Sequence, residues 1–166
     1  MEREEERVRG LYQLLLDAWN GRSADAMARL FLDDAILVGF DGSQMSGARA
    51  VEEELGRIFG DHLPARYVGL VRRVMFPAPD VAVVHAVAGM VPPGRREIKP
   101  ENNAVQVLTA VKRDGHWAIA AYQNTPARFD GRPQLARELT AELTAALRAR
   151  AAEIVEGPAD GTRQRT

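Results

Sequence analysis

Apolar side chains recur at Val8, Leu11, Tyr12, Leu15, Leu16 and Trp19, the spacing of one broad helix face, and Asn20-Gly21 closes the run. Ser23 is placed to cap a second, short helix carrying Met27, Leu30 and Phe31, with Asp33-Asp34 at its end. Ala35 to Phe40 then reads as a buried strand, and Asp41-Gly42-Ser43 as a turn into a short return strand around Gln44-Met45. Ser46 is the expected cap of a third helix with Val51, Leu55, Ile58 and Phe59 on one face and Pro64 beyond its end. The period then changes from helical to alternating. Residues 66–76, 81–91, 104–113 and 116–124 read as four strands, and the tight connections Pro77-Ala78-Pro79-Asp80 and Arg113-Asp114-Gly115 favour antiparallel pairing. The stretch 92–103 is polar, carries three prolines and reads as a long exposed loop. Pro133 suits the first turn of a last helix in which Leu135, Leu139, Leu143 and Leu147 recur every fourth residue.

Helices followed by consecutive strands exclude a parallel doubly wound sheet, which needs a helix between strands. They fit an α+β fold in which a curved sheet wraps three N-terminal helices. The hollow that such helices leave unfilled is a natural ligand pocket. The expected organisation is a domain over residues 1–130, a C-terminal helix over 131–156 and a disordered tail over 157–166.

Composition narrows the function. At 166 residues and 46% hydrophobic content, a single well-buried core is expected. A net charge of −1 gives no electrostatic footprint for nucleic acid or an anionic membrane. The chain has no cysteine, which excludes a disulfide scaffold, a thiol nucleophile and a thiolate-held metal. No apolar run nears the ~20 residues of a membrane span, and the acidic-mixed start Glu2-Arg3-Glu4-Glu5-Glu6-Arg7 is unlike a signal peptide. A cytoplasmic location is the expectation.

Candidate chemistry lies on the strands. His85 interrupts an apolar run and is the one side chain there suited to proton transfer near neutral pH; its plainer role is a core histidine with one hydrogen bond. Gln106, Gln123 and Asn124 are amides on neighbouring strands, suited to orienting a carbonyl or steadying an enolate oxygen. A two-residue Asp-Gly turn would pair Gln106 with Gln123, and a three-residue turn would pair Val105 with Gln123. Asn124 is favoured as the inward amide because it shares a face with Tyr122. Tyr12 and Trp19 sit at the two ends of the first helix's apolar face. Phe40, Met45, Phe59 and Met90 complete a plausible apolar lining, although such residues are more often plain core. The strand segments 35–40, 81–91 and 104–109 carry no Asp or Glu, so any acid–base chemistry falls to His85. Arg72-Arg73 and Arg95-Arg96 would suit an acidic ligand at a pocket mouth or merely a solvated face, and the three histidines do not form a zinc motif.

The segments Leu16-Asp17-Ala18-Trp19-Asn20, Asp25-Ala26, Phe40-Asp41-Gly42, Asp80-Val81-Ala82-Val83-Val84-His85 and Asp114-Gly115-His116-Trp117 through Asn124-Thr125 come in an informative order. Over roughly residues 5–127 the chain resembles the nuclear-transport-factor-2-like superfamily, which houses ketosteroid isomerase and the SnoaL-type polyketide cyclases, and within it the SgcJ/EcaC-type family. The resemblance implies a cone-shaped cofactor-independent protein, dimeric through its sheet, with a hydrophobic pocket for a small apolar carbonyl-bearing ligand such as a polyketide. It implies a setting in antibiotic or enediyne biosynthesis, and nominates Tyr12 as an oxyanion donor by analogy with a first-helix tyrosine of the isomerases. The isomerases' acidic base has no counterpart on these strands. Three readings follow: a proton-transfer enzyme using His85, a non-catalytic carrier with the same pocket, and an interaction protein that dimerises through the leucine stripe of its last helix.

Overall fold

The computed structural model describes residues 2–156, with side chains described to residue 151; the tail expected at 157–166 lies outside them. The elements are α1 (Glu2–Asn20), α2 (Ala24–Ala28), β1 (Phe31–Val38), β2 (Gln44–Ser46), α3 (Ala48–Asp61), β3 (Arg66–Ala78), β4 (Val81–Val91), a 3-10 turn (Pro100–Asn102), β5 (Ala104–Arg113), β6 (His116–Pro126) and α4 (Pro133–Glu156). One six-stranded mixed sheet runs in the order β2-β1-β6-β5-β4-β3. Every pairing is antiparallel except β1 with β6, which is parallel.

The first helix forms where its apolar spacing places it. Val8, Leu11, Tyr12, Leu15 and Leu16 are buried on the sheet's inner face against Val84, Ala86, Leu108 and Ile119. Its acidic first turn meets the sheet in one place: Glu4 accepts the Trp117 indole N–H at 2.7 Å and faces Lys112 Nζ at 3.2 Å. Those donors, the indole first, hold the Glu4 carboxyl down at about 2.

Four local expectations change. Ser23 does cap α2, its hydroxyl accepting from Ala26 N at 3.1 Å. The helix stops at Ala28, however, so Phe31 opens β1 and Asp33-Asp34 lie exposed within that strand, where its register with β6 slips. Ser46 ends β2 and caps nothing; Gly47, at φ +87°, precedes α3 with no side-chain cap. A side chain at Gly47 would overlap the Asp33 carbonyl, so the close approach of β1 to the start of α3 requires glycine. The loop after β4 is not wholly exposed, because Ile98 folds back to be 7% exposed.

The last helix lies on the opposite, outer face of the sheet. Leu139 and Leu143 pack with Val68, Val87, Val91 and Ile98 in a second core, and Arg72 on β3 pairs with Glu142. Leu139, Leu143 and Leu147 of the leucine stripe are therefore packed inside the subunit. That removes the basis for a dimer held by α4.

Alternation along β4 decides the fate of the nominated histidine. Ala82, Val84 and Ala86 face α1, which turns His85 to the outer face, where it is exposed. There it stands in a row with Arg73, Val107 and Gln123 across four strands. The expectation of a pocket-facing imidazole was incorrect: Val87, its neighbour on the same face, is buried only because α4 covers it, not because that face is the interior.

Candidate functional site

The hollow between helices and sheet is real. A cavity of about 390 Å³ opens between the C-terminal half of α1, α3, the β1–β2 turn, the start of β3 and the C-terminal parts of β4 and β6. Of the ligand-binding residues expected from sequence, Trp19, Phe40, Met45, Met90 and Tyr122 line it, as does the nominated Asn124. Phe59 does not; it stands behind Trp19, edge to face at 5.3 Å between centroids. Gln106 and Tyr12 lie one layer deeper, 1% and 2% exposed. His85 takes no part in it.

The inward set of β6 depends on a bulge. Arg113 pairs with His116 across the two-residue turn Asp114-Gly115, both at positive φ, as type I′ geometry requires. Strict alternation from there would pair Gln106 with Gln123. The register instead shifts by one between Thr109 and Ala110, with Ala120 as the extra residue, so Gln106 faces Asn124 and Val105 faces Thr125. Neither turn expected from sequence gives that pairing. The shift lets Ile119 and Tyr122, three residues apart, both point inward.

Three tyrosines and two amides meet here, and the three are all the tyrosines the chain has. The Tyr12 hydroxyl donates to Gln106 Oε1 at 2.6 Å. Gln106 Nε2 donates to Asn124 Oδ1 at 3.3 Å, and Asn124 Nδ2 donates to the Tyr67 hydroxyl oxygen at 2.8 Å. The chain has a direction. With its oxygen accepting, Tyr67 keeps its own proton to give, and among the described residues it donates to no protein group. The Tyr122 hydroxyl likewise has no protein partner among them. Both side chains line the cavity. Burial raises the pKa of Tyr12, Tyr67 and Tyr122, with Asn124's hydrogen bond opposing the rise at Tyr67. All three stay protonated at ordinary pH, so Tyr12 donates within the chain and Tyr67 and Tyr122 each retain a proton available to donate.

Tyr12 thus lies behind the cavity lining, where it holds Gln106, and Tyr67 was missed from sequence. Its neighbour Gly69 was the available signal. A side chain at Gly69 would overlap the Tyr12 hydroxyl and come within 2.7 Å of Leu16 Cδ1, so α1 crosses β3 closely enough to bring the phenol at 67 to the hollow. Asn20 fixes the same strand, accepting from Tyr67 N at 2.7 Å and donating to Tyr67 O at 2.9 Å.

The cavity mouth is charged. Arg57 pairs with Glu54, which holds the Glu54 carboxyl below its usual range. Asp41 is held low by Ser43, whose N–H it accepts at 2.9 Å. Both are ionised near neutral pH and already engaged. Among the described residues no group of three His, Cys, Asp or Glu side chains comes together as metal ligands do, and no helix is long and apolar enough to cross a membrane.

No protein-family model and no curated protein sequence matches this chain. Solved structures do. A domain of unknown function with a cystatin-like fold from Nostoc punctiforme PCC 73102 superposes with a TM-score of 0.73 at 22% identity, over 94% of this chain and 96% of that one. An NTF2-like protein of unknown function from Shewanella oneidensis MR-1 gives 0.62 at 15% identity, over 74% and 98%. The chain has the nuclear-transport-factor-2-like cone fold. A ketosteroid isomerase-like protein from Erwinia carotovora atroseptica SCRI1043 shares it at 0.59 and 16% identity, over 74% and 95%. At 94% coverage the Nostoc match must include much of α4, whereas a 74% match leaves about a quarter of this chain uncovered. These likenesses concern fold.

Proposed function

We propose that the protein binds a small, largely apolar molecule carrying a carbonyl or similar acceptor oxygen, the chemistry of a fused-ring polyketide. The carrying observation is the directed hydrogen-bond chain that ends on the Tyr67 hydroxyl with a proton to spare. An apolar wall made by Leu15, Trp19, Leu37, Met45 and Ile58 favours the hydrocarbon body, and Tyr67 and Tyr122 offer hydroxyls to its oxygen. A cavity of about 390 Å³ suits a ligand of roughly fifteen non-hydrogen atoms at close packing.

Binding is favoured over proton transfer. A general base works best with a pKa near the working pH, whereas Asp41 and Glu54 are held low by their partners and His85 is on the other face of the sheet. Neutral phenols and amides orient an oxygen; they do not remove a proton. A carrier or sequestering role in secondary metabolism of the SgcJ/EcaC kind accords with this chemistry. A second copy of the chain is the partner we assign to the uncovered outer face, where Ile36, Val107 and Met75 are 54%, 41% and 42% exposed and a net charge of −1 opposes self-association little.

The test is titration with 1-tetralone and with tetralin, the same bicycle without the oxygen, against native protein and Tyr67→Phe, followed by amide chemical shifts. The expected result is that Tyr67→Phe weakens the ketone by about five- to tenfold and leaves the hydrocarbon unaffected. Equal effects on both probes, or saturable binding of neither, would dismiss the proposal.

A further inference from the structure

A second concavity, about 380 Å³, lies on the other side of Trp19, between the end of α1, the start of β3 and the turn after β4. Its lining includes Arg22, Arg66, Arg95 and Arg96, and no carboxylate. All four are exposed and, among the described residues, none has an ion-pair partner, a state they share with Arg3, Arg73, Arg113, Arg132, Arg137 and Arg148; what sets them apart is that they border one cleft. The nearby Glu97 and Glu101 line the neighbouring depression, which Arg95 and Arg96 also border, without reaching a guanidinium within ion-pair distance. A chain of net charge −1 thus gathers four positive charges around one cleft.

Backbone contacts fix the points from which these side chains start. Pro92-Pro93-Gly94-Arg95 is a turn closed by Arg95 N to Pro92 O at 3.1 Å, with Gly94 at φ +74°, the arrangement of a type II turn with proline and glycine in their favoured places. Arg22 adopts φ +53°, a left-handed conformation that costs a non-glycine residue about 1 kcal/mol. It is pinned by Arg22 N to Trp19 O at 2.9 Å and Ser23 N to Ala18 O at 2.9 Å. Arg66 begins β3 opposite Val91. Like charges on rigid supports repel one another, and a multiply charged oxyanion relieves that repulsion while accepting from several guanidinium forks at once.

We propose that this cleft is a binding site for a phosphate ester or pyrophosphate group of a small molecule. The inference is independent of the cone cavity's ligand. It is tested by calorimetric titration of inorganic pyrophosphate at 150 mM NaCl into native protein, Arg22→Gln/Arg66→Gln, Arg95→Gln/Arg96→Gln, and the charge-matched control Arg113→Gln/Arg137→Gln. The expected result is saturable one-site binding, weakened about tenfold or more by each cleft pair and unchanged by the control. No saturable binding, or a loss in the control equal to that in the cleft pairs, would overturn it. Because 1-tetralone binding uses a different cavity, its failure and this one are read separately; circular dichroism of each variant confirms that it is folded.

Discussion

Severing the hydrogen-bond chain at its inner end tests whether it is one connected device. In Tyr12→Phe the acceptor Gln106 Oε1, on a residue 1% exposed, loses its donor in a site that water does not reach. An orphaned buried polar group costs about 1–3 kcal/mol. In Gln106→Leu the Tyr12 hydroxyl and Asn124 Oδ1 are both stranded, so the loss should be larger, about 2–4 kcal/mol, because two groups are orphaned and the second borders the cavity. The double variant removes the hydroxyl along with its partner and replaces them with apolar groups of similar shape. Its destabilisation should therefore fall short of the sum by about 1–2 kcal/mol. Urea unfolding followed by circular dichroism, with unchanged m-values, measures all four corners of the cycle. Additivity within about 0.5 kcal/mol would refute the idea that Tyr12 and Gln106 act through each other.

Other consequences follow from the same geometry. Gly69→Ala should destabilise by about 1–3 kcal/mol, because the new methyl meets the Tyr12 hydroxyl and Leu16; thermal unfolding some 2–12 °C lower is the expected reading. Leu143→Ala should cost about 2–5 kcal/mol without altering molecular mass in solution, since Leu143 packs within the subunit. Val107→Glu, on the outer face, should halve the mass measured by light scattering while leaving the fold intact; a monomeric native protein would remove the dimer proposal. The Glu4 carboxyl is held near 2 when folded and titrates at about 4.5 when unfolded, so its contribution is complete above the unfolded value and is lost as pH falls toward 2. Native protein should therefore exceed Glu4→Gln in urea midpoint at pH 7, with the gap shrinking between pH 4.5 and 2.

The order of elements and the location of the hollow were legible from periodicity, because burial of one helix face and of alternate strand positions leaves a direct trace in the sequence. The face chosen by His85 was not. Both faces of β4 are apolar, the inner one against α1 and the outer one partly under α4, so hydrophobicity along 81–91 carries no sign. The pairing of Gln106 with Asn124 was also hidden, since it turns on one extra residue, Ala120, that small apolar neighbours do not betray. Tyr67 escaped notice because its importance arises from a crossing that only Gly69 hints at.

The most direct test of the central claim is a structure of the protein soaked with 1-tetralone, read beside its carbonyl stretching frequency in native protein and in Tyr67→Phe. The account requires the ketone oxygen within hydrogen-bond distance of the Tyr67 hydroxyl and a lowered stretch that returns toward its value in apolar solvent when that hydroxyl is removed. A ketone bound with its oxygen toward the mouth, or a stretch indifferent to the substitution, would contradict it.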